Sequence, residues 1–172
     1  MTTSATAQLV PLNIAILTVS DTRDELTDSS GAYLKTQVLA EGHHLVEKKI
    51  LKDELYQIRA LVAHWIASEE IEVVLITGGT GFAARDSTPE AVRPLFDKTI
   101  EGFGEVFRQV SYQEIGNSTI QSRAVAGLAN GTLIFCMPGS SGACKTAWTH
   151  IIKDQLDSRH KPCNYAALLK AL

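Results

Sequence analysis

The sequence predicts an α/β fold: a three-layer α/β/α sandwich on a mostly parallel central sheet that contains an antiparallel hairpin strand. Residues 12–19 and 73–77 are nearly continuous apolar runs rich in β-branched side chains, as expected of strands covered on both faces. Residues 54–67 repeat apolar side chains at Leu55, Ile58, Leu61, Val62, Trp65 and Ile66, the stripe of a helix lying on a sheet. Asn130-Gly131 separates two more apolar runs, and that dipeptide favours the two-residue turn whose twist matches a hairpin. With no internal repeat or linker, residues 11–172 are expected to form one domain and residues 1–10 a flexible segment.

In chain order, residues 12–19 make the first strand. The polar, acidic stretch 20–28 leads into a helix over residues 30–41, which Gly42 closes in left-handed geometry. Residues 45–51 read as a weaker strand, because Glu47, Lys48 and Lys49 interrupt it; such charge suits a sheet edge, where it discourages wrong pairing. The helix 54–67 and the buried strand 73–77 follow. Ser87-Thr88-Pro89-Glu90 combines a hydroxyl cap, a proline in the first turn and a glutamate able to reach back, so a helix starts there, and Pro94 ends or kinks it. Phe103, Val106, Phe107 and Val110 mark another helical face, broken at residues 116–119. Residues 124–129 and 132–136 are the hairpin strands. Ala147, Trp148, Ile151, Ile152 and Leu156 mark a last long helix, and residues 168–172 dock or fray.

Composition narrows the function classes. The chain of 172 residues is 45% hydrophobic and 20% charged, enough to bury a core and to solvate its surface. A net charge of -3 leaves no basic footprint for nucleic acid. The first residues carry no basic n-region and the first apolar run is shorter than a membrane span, so a cytoplasmic protein without a membrane partner is expected. Cys136, Cys144 and Cys163 make an odd count without Cys-x-x-Cys spacing, which favours reduced thiols over disulfides or zinc. The five histidines form no His-x-x-x-His pair.

The chemistry is expected at the carboxyl ends of the strands, where open α/β sheets hold ligands and helix amides point into the same crevice. Three ends stand out: Ser20 and Asp21 after the first strand, Thr77 with Gly78, Gly79, Thr80 and Gly81 after the second buried run, and Pro138, Gly139 and Ser140 after the hairpin. Closely spaced glycines let the backbone curl and leave room for an oxyanion at successive N–H groups; a ligand-free tight turn is the other reading. Asp86, after the glycines, suits either Mg²⁺ held against phosphates or a helix cap. Asp53, between a strand end and a helix, faces the same two roles. Residues 139–146 nearly spell a phosphate-binding P-loop, but Cys144 stands where the second glycine is needed. Residues 77–81 lack the order of a dinucleotide fold.

Taken together, Thr77-Gly-Gly-Thr-Gly81, Arg85-Asp86, Thr88-Pro-Glu-Ala91, Gly102-Phe-Gly-Glu105 with Arg108, Ser122-Arg123 and Met137-Pro-Gly139 resemble the molybdopterin-binding family of cofactor biosynthesis protein B and the molybdopterin adenylyltransferases. The resemblance runs in order over nearly the whole chain. It implies molybdopterin as ligand, its terminal phosphate in the glycine cup and its pterin toward Ser122, Arg123, Pro138, Gly139 and Ser140. In the adenylyltransferase relatives ATP and Mg²⁺ adenylylate molybdopterin with release of pyrophosphate, and the functional acids match Asp53 and Asp86. The resemblance also implies a homotrimer or a hexamer, and other molybdenum cofactor biosynthesis proteins as partners. One departure stands out. Ser140-Ser141-Gly142 follows Pro138-Gly139, where the adenylyltransferase branch continues with Asn or Gln and then Pro. Three functions therefore compete: an adenylylating enzyme, a molybdopterin carrier without turnover, and a generic nucleotide-sensing domain.

Overall fold

The computed structural model describes residues 8–171; residues 1–7 and Leu172 lie outside it, and with them most of the expected segment 1–10 and the last residue of the expected tail. Six strands form one sheet: β1 (Asn13–Val19), β2 (His44–Leu51), β3 (Val73–Thr77), β4 (Lys98–Thr99), β5 (Val125–Ala129) and β6 (Thr132–Met137), in the order β2-β1-β3-β6-β5-β4. β1 pairs in parallel with β2 and β3, and β3 with β6. β5 runs antiparallel to β6 across the Asn130-Gly131 turn and antiparallel to β4, so the mostly parallel sheet with a hairpin strand is present as the sequence predicts. The charged strand β2 lies at one edge, also as predicted. At the other edge, β4 was not foreseen: two exposed residues carry no alternation, and only pairing with β5 defines them.

The continuous apolar runs are explained by two core clusters, one on each face of the sheet. Ile14 and Ile16 of β1 face one of them; there α1 (Ser29–Ala40) contributes Leu34 and Val38, and α4 (Glu101–Ile115) contributes Phe103 and Phe107. Ala15, Leu17 and Val19 face the other, where α2 (Leu55–Ile66) brings Ile58, Val62 and Trp65 and α3 (Thr88–Val92) brings Ala91 and Val92. Full burial of each large side chain stabilises the fold by about 1.5–3 kcal/mol, so the predicted stripe of α2 is enough to fix that helix on the sheet. Trp65 also donates from Nε1 to Glu47 Oε2 at 2.7 Å, tying the helix to the edge strand.

Several local expectations are corrected. α1 starts at Ser29, because the buried Asp28 caps it by accepting from Gly31 N–H at 2.9 Å. Ser87 stands at the cap of α3 but its side chain makes no capping bond, and Glu90 pairs with Arg123 instead of reaching back. α3 gives way to a 3₁₀ turn over Arg93–Leu95, which holds Pro94 at the expected break. On α4 the buried positions are Phe103, Gly104, Phe107 and Ser111; Val106 lies outside that line, on the exposed side. The last long helix is α5 (Ser141–Ala147) and α6 (Lys153–Leu156), joined by a π-helical turn over Trp148–Ile152. Among its buried residues, Cys144, Trp148, Ile152 and Leu156 recur every fourth position, a spacing that drifts by about 40° per step around an ordinary helix. The wider turn takes up that drift. α7 (Tyr165–Leu169) docks through Ala166 and Leu169.

Candidate functional site

Strand register brings three loops level. Thr18 lies beside Thr77, and Thr77 beside Met137, so β1, β3 and β6 end together. Because β2 and β3 lie on opposite sides of β1, successive connections run in opposite directions about β1, and a crevice opens at that switch point. A cavity of about 850 Å³ occupies it, in the upper part of the roughly 300–1,000 Å³ range that encloses small organic ligands. Ser20, Asp21, Asp53, Asp86 and Ser122 line it, together with residues 77–81 and 138–140. Arg123 is the one predicted site residue that does not.

The glycine loop curls through backbone geometry that glycine adopts readily, and it is held by its carbonyls. Gly78 and Gly79 have φ of +106° and +65°. A Cβ on Gly78 would sit 2.1 Å from Val19 O, and one on Gly79 would sit 2.3 Å from Thr88 Oγ1 and 2.5 Å from Asp53 Oδ2, so neither position accepts a side chain. Thr88 donates from its hydroxyl to Gly78 O at 2.9 Å and from its amide to Gly79 O at 3.0 Å. Arg123 Nε donates to Gly81 O at 2.9 Å and to Thr80 O at 3.2 Å, and its NH2 donates to Asp86 O at 3.0 Å. Arg123 therefore holds the loop from behind. Gly78 N–H is spent on Met137 O at 3.0 Å, whereas the amides of Gly79, Thr80 and Gly81 find no acceptor among the described residues. The anion cup is thus smaller than the sequence suggests, and the hydroxyl of Thr77 does not belong to it. That hydroxyl donates to Pro138 O at 3.0 Å, with Cys144 Sγ at 3.1 Å, and fastens β3 to β6.

Three carboxylates ring the loop. Asp53 Oδ1 accepts from the amide and hydroxyl of Ser87 at 3.1 and 2.6 Å, so it ties down the start of α3 from another segment. Asp86 Oδ2 accepts from Ala83 N–H at 2.7 Å; it closes its own turn and does not cap α3. Among the described residues, Asp53 Oδ2 and Asp86 Oδ1 accept no hydrogen bond. Burial foremost holds the Asp53 carboxyl above its ordinary range. The Ser87 donors oppose the rise, and repulsion from Asp86 and Asp21 adds to it. Asp21 is joined to Arg85 at 2.7 Å, and Arg85 also reaches Glu54 at 3.2 Å.

No group of three or more His, Cys, Asp or Glu side chains gathers as a metal cage among the described residues. Mg²⁺ at a phosphate site needs only one or two carboxylates, with phosphate oxygens and water completing its shell. The uncommitted oxygens of Asp86 and Asp53 fit that donor set.

Other parts of the site were missed in the sequence. Arg23, Arg85, Phe107, Ser111, Glu114 and Thr146 also line the cavity. Glu114 accepts from Thr146 Oγ1 at 2.7 Å and so joins α4 to α5 as one wall. Arg85 stood in a family motif; Glu114 and Thr146 are far apart in sequence and carried no signal. Ser140 accepts from Ala143 N–H at 3.1 Å as the cap of α5, while Ser122 Oγ is buried without a partner among the described residues.

This geometry has close counterparts. A family model described as "Probable molybdopterin binding domain" matches residues 15–158. Molybdenum cofactor biosynthesis protein B of Escherichia coli (strain K12) is 58% identical over 163 residues, covering 95% of this chain and 96% of that protein. A crystal structure of a molybdenum cofactor biosynthesis protein B superposes with a TM-score of 0.83 at 43% identity, over 86% of this chain and 92% of that one. The tungsten cofactor synthesizing protein MoaB from Pyrococcus furiosus does so with a TM-score of 0.75 at 36% identity, over 94% and 96%. On a family match that takes in all three strand-end loops, and on relatives aligned over nearly their full lengths, the chain belongs to the molybdopterin-binding family of the molybdenum cofactor biosynthesis proteins B.

Proposed function

We propose that the protein binds molybdopterin in the cavity at the ends of β1, β3 and β6 and, with Mg-ATP, adenylylates its terminal phosphate. The observation that carries this reading is the set of unspent amides at Gly79, Thr80 and Gly81 beside the uncommitted oxygens of Asp53 and Asp86. The amides hold the terminal phosphate of the pterin. Ser122, whose buried hydroxyl lacks a protein partner, and the segment 138–140 receive the pterin itself, with Ser20 and Asp21 closing the opposite side. In the transfer, a phosphate oxygen of molybdopterin bonds to the α-phosphorus of ATP and the bond to the β-phosphate breaks, releasing pyrophosphate. Asp86 and Asp53 would hold Mg²⁺, which neutralises phosphate charge when bound. The protein's own part is in-line positioning by a rigid loop, and no covalent nucleophile is needed. The family likeness supports self-association into a homotrimer or hexamer, contact with other molybdenum cofactor biosynthesis proteins and a cytoplasmic location.

Purified protein with Mg-ATP and molybdopterin is expected to release pyrophosphate, and Asp86→Asn to abolish release while calorimetric pterin binding persists. Release no faster than without protein overturns the enzymatic reading. A second reading, carriage of molybdopterin without turnover, is favoured by one observation. Ser140, which stands where the resemblance puts an amide side chain in the adenylyltransferases, is occupied as a helix cap. Carriage is expected to show molybdopterin affinity with no ATP-dependent product, and it is abandoned if calorimetry finds no molybdopterin binding.

A further inference from the structure

The motif Gly102-Phe-Gly-Glu105 with Arg108 takes no part in the main cavity. Its Gly104 and Arg108 line a second one, of about 440 Å³, between α3 and α4. Three arginines line it: Arg93 after α3, Arg108 on α4 and Arg123 beside β5. Arg123 is ion-paired with Glu90, and its guanidinium lies over the Phe82 ring, 5.2 Å from the centroid. Arg93 and Arg108 have no carboxylate partner among the described residues. The one side-chain hydrogen bond of Arg108 is long, 3.4 Å from NH1 to Ala124 O. Its guanidinium lies over Gly104, where a Cβ would come within 3.0 Å of both terminal nitrogens. The carboxylates at the pocket are Glu90, engaged by Arg123, and the exposed Glu101. A half-buried Arg108 and an exposed Arg93, both with unspent donors at one concave pocket, make an incomplete charge arrangement, and forked guanidinium donors match the oxygens of phosphate.

We propose that this second pocket binds the phosphate group of a small molecule through Arg93 and Arg108, with Arg123 as a shared wall. Arg123 donates to the carbonyls of Thr80, Gly81 and Asp86 on one side and to Glu90 on the other. An anion beside it competes with Glu90 for the same guanidinium that steadies the glycine loop. The buried hydroxyl of Ser122 borders both cavities.

The test is an NMR titration of the full chain with inorganic phosphate, reading the Nε–H resonances of Arg93 and Arg108 and, separately, the amides of Gly79, Thr80 and Gly81. Saturable shifts at both arginines are expected, and each of Arg93→Gln and Arg108→Gln is expected to weaken them about tenfold, the loss of one charge-assisted contact. Both variants are expected to keep the molybdopterin affinity of the unaltered protein, so failure here is distinct from failure of the main site. Shifts confined to Gly79, Thr80 and Gly81, or shifts at the arginines that survive both substitutions, overturn the proposal. Should either variant unfold, Arg93→Lys and Arg108→Lys keep the charge and lose the fork. They are expected to weaken phosphate binding several-fold, and unchanged binding in both rejects the site.

Discussion

Lys48→Met isolates the polar core that shapes one wall of the site. The Lys48 ammonium lies 2.8 Å from Asp28 Oδ2, and the two side chains are 12% and 0% exposed. Breaking such a pair from one side strands a buried charge and costs about 3–5 kcal/mol. Asp28 keeps donors at 2.9 Å from Gly31 N–H and at 2.9 Å from Thr18 Oγ1, so the lower end applies, about 3 kcal/mol. In a chain of this size that lowers the melting temperature by about 6–12 °C near pH 7. Burial alone pushes the Asp28 carboxyl up, but the Lys48 ammonium, Gly31 N–H and Thr18 hydroxyl together hold it below its ordinary 3.8. Its contribution is therefore present above that value and lost as pH falls through the lower folded-state value. In Lys48→Met the burial effect is less opposed, the carboxyl rises and protonation relieves the stranded charge. The deficit should shrink between pH 7 and pH 4. Lys48 itself is raised above 10.5, against the effect of burial, by Asp28 and Glu25, so its share lasts until strongly alkaline pH. Calorimetric melting of both proteins across that range is the assay. A loss below about 2 °C, or one unchanged between pH 4 and pH 7, refutes the reasoning. The consequence reaches function because Arg23, on the cavity wall, donates to Ser30 Oγ at 2.5 Å and lies 3.9 Å from Asp28 Oδ1.

Other outcomes follow from the same contacts. Gly79→Ala, at φ +65° and with its Cβ 2.3 Å from Thr88 Oγ1, should cost at least about 1–2 kcal/mol in urea unfolding and abolish molybdopterin binding. The buried His43 accepts Leu12 N–H on Nδ1 at 3.2 Å, and burial, opposed by Glu41, Asp157 and Glu72, holds it below 6.5. Stability from this group is full above pH 6.5 and lost as pH falls through the lower folded-state value; urea midpoints between pH 7.5 and 5 should fall in the wild type and fall less in His43→Asn. Trp148 Nε1 is buried without a partner, so Trp148→Phe should cost less than Trp65→Phe, which severs the bond to Glu47. Paired unfolding curves decide it.

The parallel strands, the long helices and the three strand-end loops were legible because burial on both faces writes continuous apolar runs and burial on one face writes a stripe. What stayed hidden depends on pairing at a distance. β4 exists because Lys98 and Thr99 face Leu128 and Gly127, and the wall formed by Glu114 and Thr146 joins residues on separate helices. The residue type alone also misassigned donors. Thr77 has the hydroxyl of a phosphate ligand but turns it to Pro138 O, and Arg123, which suits an anion site, is spent on backbone carbonyls behind the loop. A sequence shows which groups can hydrogen-bond, whereas tertiary packing decides which have already done so.

Asp53 offers the sharpest way to separate a structural acid from a functional one. If its purpose were only to hold Ser87, an amide oxygen would serve, because Asn also accepts at Oδ1. A carboxylate there is held above its ordinary range, first by burial and then by Asp86 and Asp21, so its ionised form destabilises the fold. Folded-state elevation means this penalty is absent below pH 3.8, grows as pH rises through the elevated value and is complete above it. Asp53→Asn should therefore raise the melting temperature at pH 7, with the gain fading toward pH 4, while pyrophosphate release falls by orders of magnitude. Stability exchanged for charge at one position is the mark of an active-site group. A variant that is destabilised at both pH values, with molybdopterin binding and turnover intact, would show instead that Asp53 only fastens α3.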